Sequence, residues 1–436
     1  MNQAGLVNLI GDHSARLTVI GQGYVGLPQA VEFARAGFRV VGLDTDLDRI
    51  SALNAGRSHT GDVDGEGLKA LIHEGRYEAT ADASVLEQSD VVIICVPTPL
   101  RKSKDPDISF VVAAAEEVAA RFRPGQLVIL ESTTYPGTTE ELLLPRFEAR
   151  GARVGENFFL AFSPERIDPA NKDFKLRQIP KVVGGITPAC SHVAALLYRQ
   201  IIDRVLEVSS SKVAELAKLY ENLFRNVNIA LANEFALMCR RLGVNTREVI
   251  DAAATKPFGF LPFYPGPGVG GHCIGIDPFY LAWTVRLNGY EARFIHLADE
   301  INRSMPDYVV ELVTEALNRR RLCVSGTKIL VLGVAYKRSV GDIRESPALE
   351  IIATLRAKGA EVSYADPYVP SVAIEGAVLK SVELSDQDLE AADCVLIVTD
   401  HPEFDYRRIV EVAPLVVDTR NATRGIAAPD GRVVRL

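Results

Sequence analysis

Short apolar runs alternate with amphipathic stretches along the first half of the chain. Runs of this length are typical of buried strands, whereas apolar residues spaced three or four positions apart are typical of helices. An apolar run at 16–20 is followed by a glycine-rich turn at 21–26, a helical pattern at 27–36 and a second apolar run at 38–43. This order predicts two parallel strands joined by a right-handed crossover helix. Further elements are predicted as strands at 90–96, 126–131 and 158–162 and as a helix at 108–122.

A long stretch of good helix formers and a second strand–turn–helix–strand series follow. Residues 209–242 predict one helix of about 45 to 50 Å, because a helix rises about 1.5 Å per residue. A Pro/Gly-rich loop at 256–273 comes next, and then more helix to about Arg320. The second series predicts a helix at 346–358 and strands at 328–332, 361–365, 394–398 and 415–418.

These patterns predict an α/β protein in which two Rossmann-like doubly wound domains are joined by a long central helix. The predicted boundaries are 1–208 for the first α/β domain, 209–320 for a central helical domain with the cysteine loop, and 321–436 for the second α/β domain. A chain of 436 residues is long enough for two or three domains with substantial cores.

Composition and charge exclude several classes of protein. Hydrophobic residues make up 47% and charged residues 24%, which is typical of globular domains, and the net charge of -8 argues against a nucleic-acid partner. Apolar runs such as 91–96 are far shorter than the roughly 20 residues that span a bilayer, so we expect no membrane partner. The first residues lack the apolar core of a secretory signal, and a cytoplasmic location is expected. The six cysteines form no CxxC pair, which disfavours a metal site and a disulfide framework.

The turn at 21–26, GQGYVG, follows a predicted strand and opens a predicted helix. Gly21 allows the tight turn, Gly23 lets the backbone approach a pyrophosphate, and Gly26 lets the helix pack on the strand. Asp44, at the end of the next strand, can accept hydrogen bonds from ribose hydroxyls, which favours NAD over NADP. Arg49 is the residue that could instead accommodate a 2′-phosphate. The alternative is a glycine-rich turn that binds nothing.

The segment PGPGVGGHCIGIDP (265–278) surrounds Cys273 with glycine. A lone cysteine is usually a small buried hydrophobe. Here the exposed backbone N–H groups and a helix start predicted after Cys273 would favour the thiolate, the nucleophilic form. Asp277 lies four residues further on and would share a face with Cys273 if this stretch is helical.

Polar residues at helical spacing interrupt the apolar pattern of the long helix. Lys218 and Asn222 lie one turn apart, and Arg225 and Asn226 follow a turn later, so these side chains either face solvent or line a site. A lysine and an amide are suitable donors to a developing oxyanion.

Two carboxylates end predicted strands. Glu165 follows the strand at 158–162 and Glu131 ends the strand at 126–131. The carboxyl ends of parallel strands are where α/β sheets carry their chemistry, although a surface turn is the alternative for both.

Eight segments lie in order along nearly the whole chain: GQGYVG, CVPTPL, ESTTYPG, SPER, AELAKLYEN, PGPGVGGHCIGIDP, GVAYKRSVGDIRESPA and VVDTRN. Together they resemble the UDP-glucose/GDP-mannose dehydrogenase family. Within that family, the segments around the cysteine resemble the bacterial branch that acts on UDP-N-acetylhexosamines, with UDP-N-acetylglucosamine the nearest substrate. UDP-N-acetylgalactosamine, UDP-N-acetylmannosamine and UDP-glucose stay open.

The resemblance implies a four-electron oxidation of the sugar C6 alcohol to a carboxylate with two NAD. Cys273 would add to the intermediate aldehyde, giving a thiohemiacetal and then a thioester that water hydrolyses. Lys218 and Asn222 would stabilise negative charge on oxygen. Glu165 and Asp277 would manage protons and the hydrolytic water, with Thr133 positioning that water.

The resemblance also implies binding residues, and it makes residues 321–436 the UDP-sugar-binding domain. Cofactor contacts are implied for Gly21, Gly23, Tyr24, Val25, Gly26, Asp44, Arg49, Pro97, Thr98, Ser132, Thr133 and Arg344. Sugar-nucleotide contacts are implied for Glu165, Arg166, Lys218, Asn222, Arg225, Phe258, Phe260, Tyr264, Gly270, Lys337 and Arg420. No metal is implied, and a homodimer or larger homo-oligomer is expected.

One position departs from the family pattern. UDP-glucose enzymes carry a second glutamate four residues after the first, but this chain has Pro169 there, with Asp168 beside it. This weakens UDP-glucose as substrate and leaves the proton relay partly unassigned. His272 is a candidate proton shuttle next to Cys273.

Two other interpretations are open. A two-electron hydroxyacid dehydrogenase of the 6-phosphogluconate type would share the first domain and a long helix with lysine and asparagine, but it would not need Cys273. A non-catalytic NAD-binding regulator would need only the glycine turn and Asp44.

Overall fold

A computed structural model of the chain describes residues 3–101, 105–166 and 174–436, without the side chains of His272 and Cys273. The chain divides into two compact units. The first comprises residues 1–221 and 279–290, and the second comprises residues 222–278 and 291–436. The predicted positions Asp168 and Pro169 lie outside the described residues.

The first unit contains, within the described residues, one sheet of eight strands in the order β3-β2-β1-β4-β5-β6-β7-β8. All neighbouring strands are parallel except β6 and β7, which are antiparallel. The strands are β1 (Arg16–Ile20), β2 (Arg39–Leu43), β3 (Tyr77–Thr80), β4 (Val91–Ile94), β5 (Gln126–Leu130), β6 (Phe158–Phe162), β7 (Lys181–Gly185) and β8 (Val205–Glu207).

Helices connect these strands, as expected for parallel neighbours. They are α1 (Gln3–Gly11), α2 (Gly26–Arg35), α3 (Leu47–Asn54), α4 (Gly65–His73), α5 (Ser109–Ala120), α6 (Leu144–Glu148) and α7 (Pro188–Tyr198). Short 3-10 helices lie at Ala83–Gln88 and Leu176–Gln178, and a π-helical turn at Thr138–Leu143 precedes α6. The residues before β1 form a helix, which the sequence analysis missed; Leu6 and Ile10, one turn apart, are fully buried.

Four helices follow the first sheet, and two of them contribute residues to both units. The predicted long helix is α8 (Ser211–Leu242), a continuous helix of 32 residues. It is followed by α9 (Thr246–Ala254), α10 (His272–Leu287) and α11 (Arg293–Arg319). Because α10 begins at His272, Cys273 lies inside its first turn, whereas the helix was predicted to start after Cys273.

The second unit contains, among the residues that the structure describes, a five-stranded parallel sheet in the order β10-β9-β13-β14-β15 and a hairpin formed by β11 and β12. The strands are β9 (Lys328–Leu332), β10 (Glu361–Ala365), β11 (Ser371–Ile374), β12 (Ala377–Lys380), β13 (Cys394–Ile397), β14 (Val416–Asp418) and β15 (Val433–Arg435). The accompanying helices are α12 (Pro347–Ala357), α13 (Asp386–Ala391) and α14 (Tyr406–Val412).

The predicted fold class is confirmed, since the first unit carries a mostly parallel sheet and the second a parallel sheet, both accompanied by helices, and a long helix follows the first sheet. The three predicted domain boundaries stay a prediction. In the described part of the chain, no helix is both long and apolar enough to cross a membrane.

A stacked aromatic pair in the first core provides a test of the packing. Phe147 is fully buried and its ring stacks on that of Phe158, with centroids 4.5 Å apart. Phe147→Ala should lower the free energy of unfolding by about 3 to 5 kcal/mol, because it removes a large side chain that the core cannot refill. Phe110→Ala is the matched control, since that ring is 50% exposed and its loss should cost less than about 0.5 kcal/mol. Urea unfolding of the full chain measures both, and equal losses would contradict the assigned core.

Candidate functional site

The two ends of the glycine turn between β1 and α2 pack directly against each other. A Cβ atom at Gly26 would lie 1.9 Å from the carbonyl oxygen of Gly21, so no larger residue fits there. Gly21 itself has a φ of 90°, in the left-handed region that glycine favours. A Cβ at Gly23 would meet no protein atom within 4 Å. Packing therefore explains Gly26, while the space at Gly23 stays open to a ligand.

Asp44 fixes the turn from the end of β2. Its carboxylate accepts hydrogen bonds from the backbone N–H groups of Gln22 at 2.7 Å and Asp46 at 3.0 Å, and it pairs with the Arg49 guanidinium at 2.9 Å. Burial opposes ionisation of Asp44, but these donors hold its pKa below the usual value. The carboxylate is thus ionised and positioned, with Arg49 beside it. Tyr24 in the turn is 50% exposed, and Val25 is partly buried.

The loops after β4 and β5 are joined to each other. Ser132 donates from its hydroxyl to the Val96 carbonyl at 2.8 Å. Tyr280, on the part of α10 that belongs to the first unit, donates to the carbonyl of the buried Thr98 at 3.0 Å. Pro97 is exposed and Thr133 is partly buried. The predicted cofactor residues of these two loops are therefore held near one another at the carboxyl ends of adjacent strands.

Glu215 anchors the second of these loops, a role that the sequence analysis did not find. Its carboxylate accepts from the backbone N–H groups of Gly137 at 2.6 Å and Thr139 at 3.0 Å. These N–H groups begin the helical turn after the loop, where backbone donors lack partners within the helix.

Glu165 lies at the carboxyl end of β6 with 7% of its surface exposed. Its Oε1 accepts from the backbone N–H of Arg166 at 2.7 Å. The Arg166 side chain points to other partners, since it pairs with Glu221 at 2.7 Å and donates to the Pro180 carbonyl. Arg166 is thereby fixed next to Glu165 and Glu221 on the first unit.

Helix α8 presents the predicted lysine and asparagine one turn apart, both buried: Lys218 is 8% and Asn222 is 5% exposed. Burial excludes the alternative in which these side chains simply face solvent. The Asn222 amide Nδ2 donates to Asp277 Oδ2 at 2.6 Å, and its Oδ1 accepts from Arg225 at 2.5 Å. Asn222, Arg225 and Asp277 therefore form one connected polar group.

The first turn of α10 is tied to α8 by a second amide. Pro278 has no N–H, so the Ile274 carbonyl four residues earlier lacks its helical donor. The Nδ2 of Asn226 supplies that donor at 2.9 Å, and Asn226 is itself 6% exposed. The sequence shows the proline, but only the fold shows which side chain compensates for it. This bond fixes the backbone immediately after Cys273, whose side chain lies outside the described part.

The glycine segment before Cys273 packs on the turn after β9. A Cβ at Gly270 would lie 2.6 Å from the Tyr336 Cβ and 2.8 Å from the Glu345 carbonyl oxygen, so this glycine is required by packing. Gly271 donates its backbone N–H to the Arg344 carbonyl at 2.9 Å. The Arg344 side chain is exposed and pairs with Asp342.

Lys337 lies on the turn after β9, which Asp366 holds in shape. The Asp366 carboxylate accepts from the backbone N–H groups of Val334 at 2.7 Å and Ala335 at 3.0 Å and from His401 at 3.1 Å. Burial opposes its ionisation, but the hydrogen bonds from His401 and the backbone keep the pKa of Asp366 below the usual value. Asp366 occupies the strand-end position that Asp44 has in the first sheet. Its carboxylate accepts hydrogen bonds from two backbone N–H groups and from His401.

Arg420 lies at the end of β14 beside the same glycine segment. It donates from Nε to the Val398 carbonyl at 2.9 Å, and a Cβ at Gly266 would approach its guanidinium to 2.8 Å. Burial lowers the pKa of Arg420. Its guanidinium is thus partly desolvated and held against a glycine-rich backbone.

The predicted aromatic residues differ in their surroundings. Tyr264 donates to Asp251 at 2.7 Å and lies under the Arg247 guanidinium, 4.2 Å from the ring centroid. Phe258 and Phe260 are 71% and 39% exposed. The structure therefore gives Tyr264 a fixed place within the second unit, leaves Phe258 largely exposed and covers more than half of Phe260.

The bond between Asn226 and the Ile274 carbonyl can be tested by a double-mutant cycle. Asn226→Ala should lower the free energy of unfolding by about 1 kcal/mol, because it leaves a partly buried carbonyl without a donor. In the Pro278→Ala background a backbone N–H is restored, so the same change should cost less than half as much. Asn228→Ala is the control, since that side chain only donates to an exposed Phe224 carbonyl on the same helix. Equal costs in both backgrounds, measured by urea unfolding, would contradict this account.

Family models match three segments of the chain. The NAD binding domain of the UDP-glucose/GDP-mannose dehydrogenase family matches residues 15–202, the central domain of that family matches residues 212–304, and its UDP binding domain matches residues 330–425. These matches follow the order of the two sheets and of the helices between them.

Curated relatives and solved structures match over nearly the same length. The chain is 40% identical to UDP-N-acetyl-D-glucosamine 6-dehydrogenase of Pseudomonas aeruginosa over 81% of this chain and 83% of that protein. It is 38% identical to UDP-N-acetyl-D-mannosamine dehydrogenase of Pyrococcus horikoshii over 89% and 90%. The solved structure of a UDP-D-ManNAc dehydrogenase from Pyrococcus horikoshii superposes with a TM-score of 0.87 at 36% identity, covering 96% of this chain and 98% of that one. The chain therefore belongs to the UDP-glucose/GDP-mannose dehydrogenase family of nucleotide-sugar dehydrogenases, and its cofactor is NAD.

Proposed function

We propose that this protein oxidises the C6 primary alcohol of a UDP-N-acetylhexosamine to the uronate, with UDP-N-acetylglucosamine as the first candidate. The balanced reaction consumes one alcohol, two NAD and one water and yields one carboxylate, two NADH and three protons. Relatives named for N-acetylglucosamine and for N-acetylmannosamine support the class of sugar. UDP-N-acetylgalactosamine and UDP-glucose are further candidates.

The main support for this chemistry is the pair of amide hydrogen bonds that join α8 to the first turns of α10. A helix start that carries a cysteine and is held by buried polar side chains is the environment that a reactive thiolate needs. A two-electron dehydrogenase would have no use for a cysteine there.

The first unit has the features that NAD requires. Gly23 leaves open space beside the backbone at the start of α2, and Asp44 is an ionised acceptor for ribose hydroxyls. Arg49 shares its charge with Asp44, which weakens it as a partner for a 2′-phosphate. NAD, when bound, accepts the hydride from C6 in each oxidation.

Lys218 and Asn222 stabilise the negative charge that develops on the C6 oxygen. An amide nitrogen carries two hydrogens, so Asn222 can donate one to Asp277 and the other to the substrate. The Arg225 guanidinium fixes the orientation of that amide, because it donates a hydrogen bond to the amide oxygen. Two donors placed in advance lower the barrier because they need no reorganisation during the reaction.

Cys273 adds as thiolate to the bound aldehyde. A carbon–sulfur bond forms, the carbonyl electron pair moves to oxygen, and a proton completes the thiohemiacetal. Loss of a second hydride and of the hydroxyl proton gives the thioester. Glu165 then takes a proton from water, with Thr133 placing that water; the water oxygen bonds to the carbonyl carbon, the carbon–sulfur bond breaks and the thiolate leaves. Asp277 and His272 are the proposed proton carriers beside the cysteine.

The diphosphate and uridine bind to the second α/β domain, residues 321–436. Lys337 and Arg420 supply positive charge for the phosphate groups, and Arg420 is partly desolvated, which strengthens its hydrogen bonds. Arg344 is proposed to reach the cofactor. The sugar is proposed to contact Arg166, Gly270 and the aromatic side chains Phe258, Phe260 and Tyr264.

A homodimer is proposed from the surface of α8. Apolar residues recur at intervals of three, four or seven positions along this helix and are exposed in the single chain. They are Val213, Leu216, Tyr220, Phe224, Leu231, Met238 and Leu242. Exposed apolar residues at such intervals are typical of a helix that packs against another chain.

Cys273→Ser tests the covalent step. The variant should lose uronate formation by about three orders of magnitude or more, because a hydroxyl at neutral pH is a far weaker nucleophile than a thiolate, while NAD affinity stays within about twofold. NADH yield and product mass are measured for a panel of UDP-sugars, and NAD binding is measured by calorimetry.

The matched control is Cys323→Ser, since Cys323 is an exposed free thiol of the second unit. It should leave turnover unchanged. Two NADH per uronate in the wild type support the proposal. One NADH with an aldehyde or ketone product supports a two-electron dehydrogenase, and NAD binding without turnover of any UDP-sugar supports a regulator; either result contradicts it.

A further inference from the structure

A buried lysine lies between two carboxylates in the first unit. Lys181, the first residue of β7, is 4% exposed, and its Nζ lies 3.1 Å from Glu131 Oε2 and 3.4 Å from Glu165 Oε2. Glu131 is 1% and Glu165 is 7% exposed. Glu165 is the proposed base of the hydrolytic step, whereas Glu131 and Lys181 have no role in that step so far.

The Glu131 carboxylate accepts hydrogen bonds from three side chains, one of which is Lys181. Its Oε1 accepts from the Gln29 amide at 2.6 Å and from the Tyr198 hydroxyl, and the Tyr198 ring lies under Lys181 at 5.0 Å from Nζ. Lys181, Glu131 and Glu165 form the buried charged cluster, and they come from β7 and from the ends of β5 and β6. Other polar groups that face this cluster are Gln29 of α2, Cys95 after β4 and Tyr198 of α7.

The cluster is unbalanced in charge. Two carboxylates face one ammonium group, so the fully ionised cluster carries one uncompensated negative charge in a buried place. Burial raises the pKa of Glu131. For Lys181, burial opposes the charged form, but the two carboxylates outweigh it and raise the pKa, so the ammonium persists. Burying such groups is costly and adds little stability, so a purely structural account does not explain why they are here.

We propose that Lys181 and Glu131 are positioning residues that control the ionisation of Glu165: Lys181 favours the Glu165 carboxylate, and Glu131 opposes it. The inference rests on the proposed function, in which Glu165 activates water in its ionised form. It also places a second glutamate beside Glu165 in a chain that has Pro169 where UDP-glucose enzymes have one.

Opposite shifts of a pH profile test this. Lys181→Met removes the positive charge that faces Glu165, so the Glu165 carboxylate becomes less favourable. The acid limb, which is the fall in rate on the acidic side of the pH profile, should therefore move to higher pH. Glu131→Gln removes a neighbouring negative charge and keeps the hydrogen-bonding shape, so the acid limb should move to lower pH. The shift in Lys181→Met should be about one pH unit, as expected for a charge within hydrogen-bonding distance, and the opposite shift in Glu131→Gln should be smaller, because Lys181 lies between the two carboxylates. The quantity measured is the rate of uronate release after the second NADH has formed, followed by rapid quench from about pH 5 to 9.

Three further variants complete the design. Lys181→Arg keeps the charge and should keep the wild-type acid limb. Lys212→Met is the matched control, since Lys212 pairs with Glu141 on the surface at 3.2 Å and should not move the limb. If Lys181→Met does not fold, Lys181→Met combined with Glu131→Gln leaves one carboxylate instead of two, and Glu131→Gln alone still decides the sign.

The outcomes separate this inference from the proposed function. A wild type that forms one NADH and releases aldehyde contradicts the proposed function itself. A wild type that forms uronate, with opposite limb shifts in Lys181→Met and Glu131→Gln, supports the positioning role. Limbs that stay in place, or that move in the same direction in both variants, overturn the positioning role while the proposed function stands.

Discussion

Pro278, in the second turn of α10, leaves a helix carbonyl without its backbone donor, and the arrangement of the site in the second unit depends on how that donor is replaced. Pro278 removes the donor for the Ile274 carbonyl, and the Asn226 amide of α8 replaces it at 2.9 Å. One turn earlier on α8, Asn222 holds Asp277. Two amides on one face of a long helix therefore fix the turn that contains Cys273. A helix held in this way keeps its first turn, and any nucleophile on it, in one orientation.

Both sheets use an aspartate at a strand end to shape the turn after their first strand. Asp44 accepts from the Gln22 N–H and is left beside an open glycine turn, whereas Asp366 is occupied by backbone N–H groups and by His401. The shared position is a consequence of the same βαβ arrangement in both domains. The two carboxylates differ in their side-chain partner, which is the Arg49 guanidinium for Asp44 and the buried His401 imidazole for Asp366.

The patterns of the sequence predict part of the elements and few of the contacts. The strands that were not predicted are β3, β7, β8, β11, β12 and β15. Most predicted strands and the long helix lie within two residues of their observed bounds, because alternation and glycine turns are local signals. Helix α1 was overlooked, although Leu6 and Ile10 carried its signal. The pairing of Lys181 with Glu131, which are 50 positions apart, depends on which strands become neighbours, and no local pattern contains that information. The roles of the other predicted site residues stay predictions.

The account predicts above all that a sugar is carried covalently on Cys273. In a Glu165→Gln variant, hydrolysis should slow while both oxidations proceed, so the acyl-enzyme should accumulate. Mass spectrometry of the quenched variant after mixing with UDP-N-acetylglucosamine and NAD is the direct measurement. The expected result is a burst of two NADH per active site and a nucleotide-sugar adduct on the peptide that contains Cys273. A burst of two NADH with free uronate and an unmodified Cys273 peptide would contradict it.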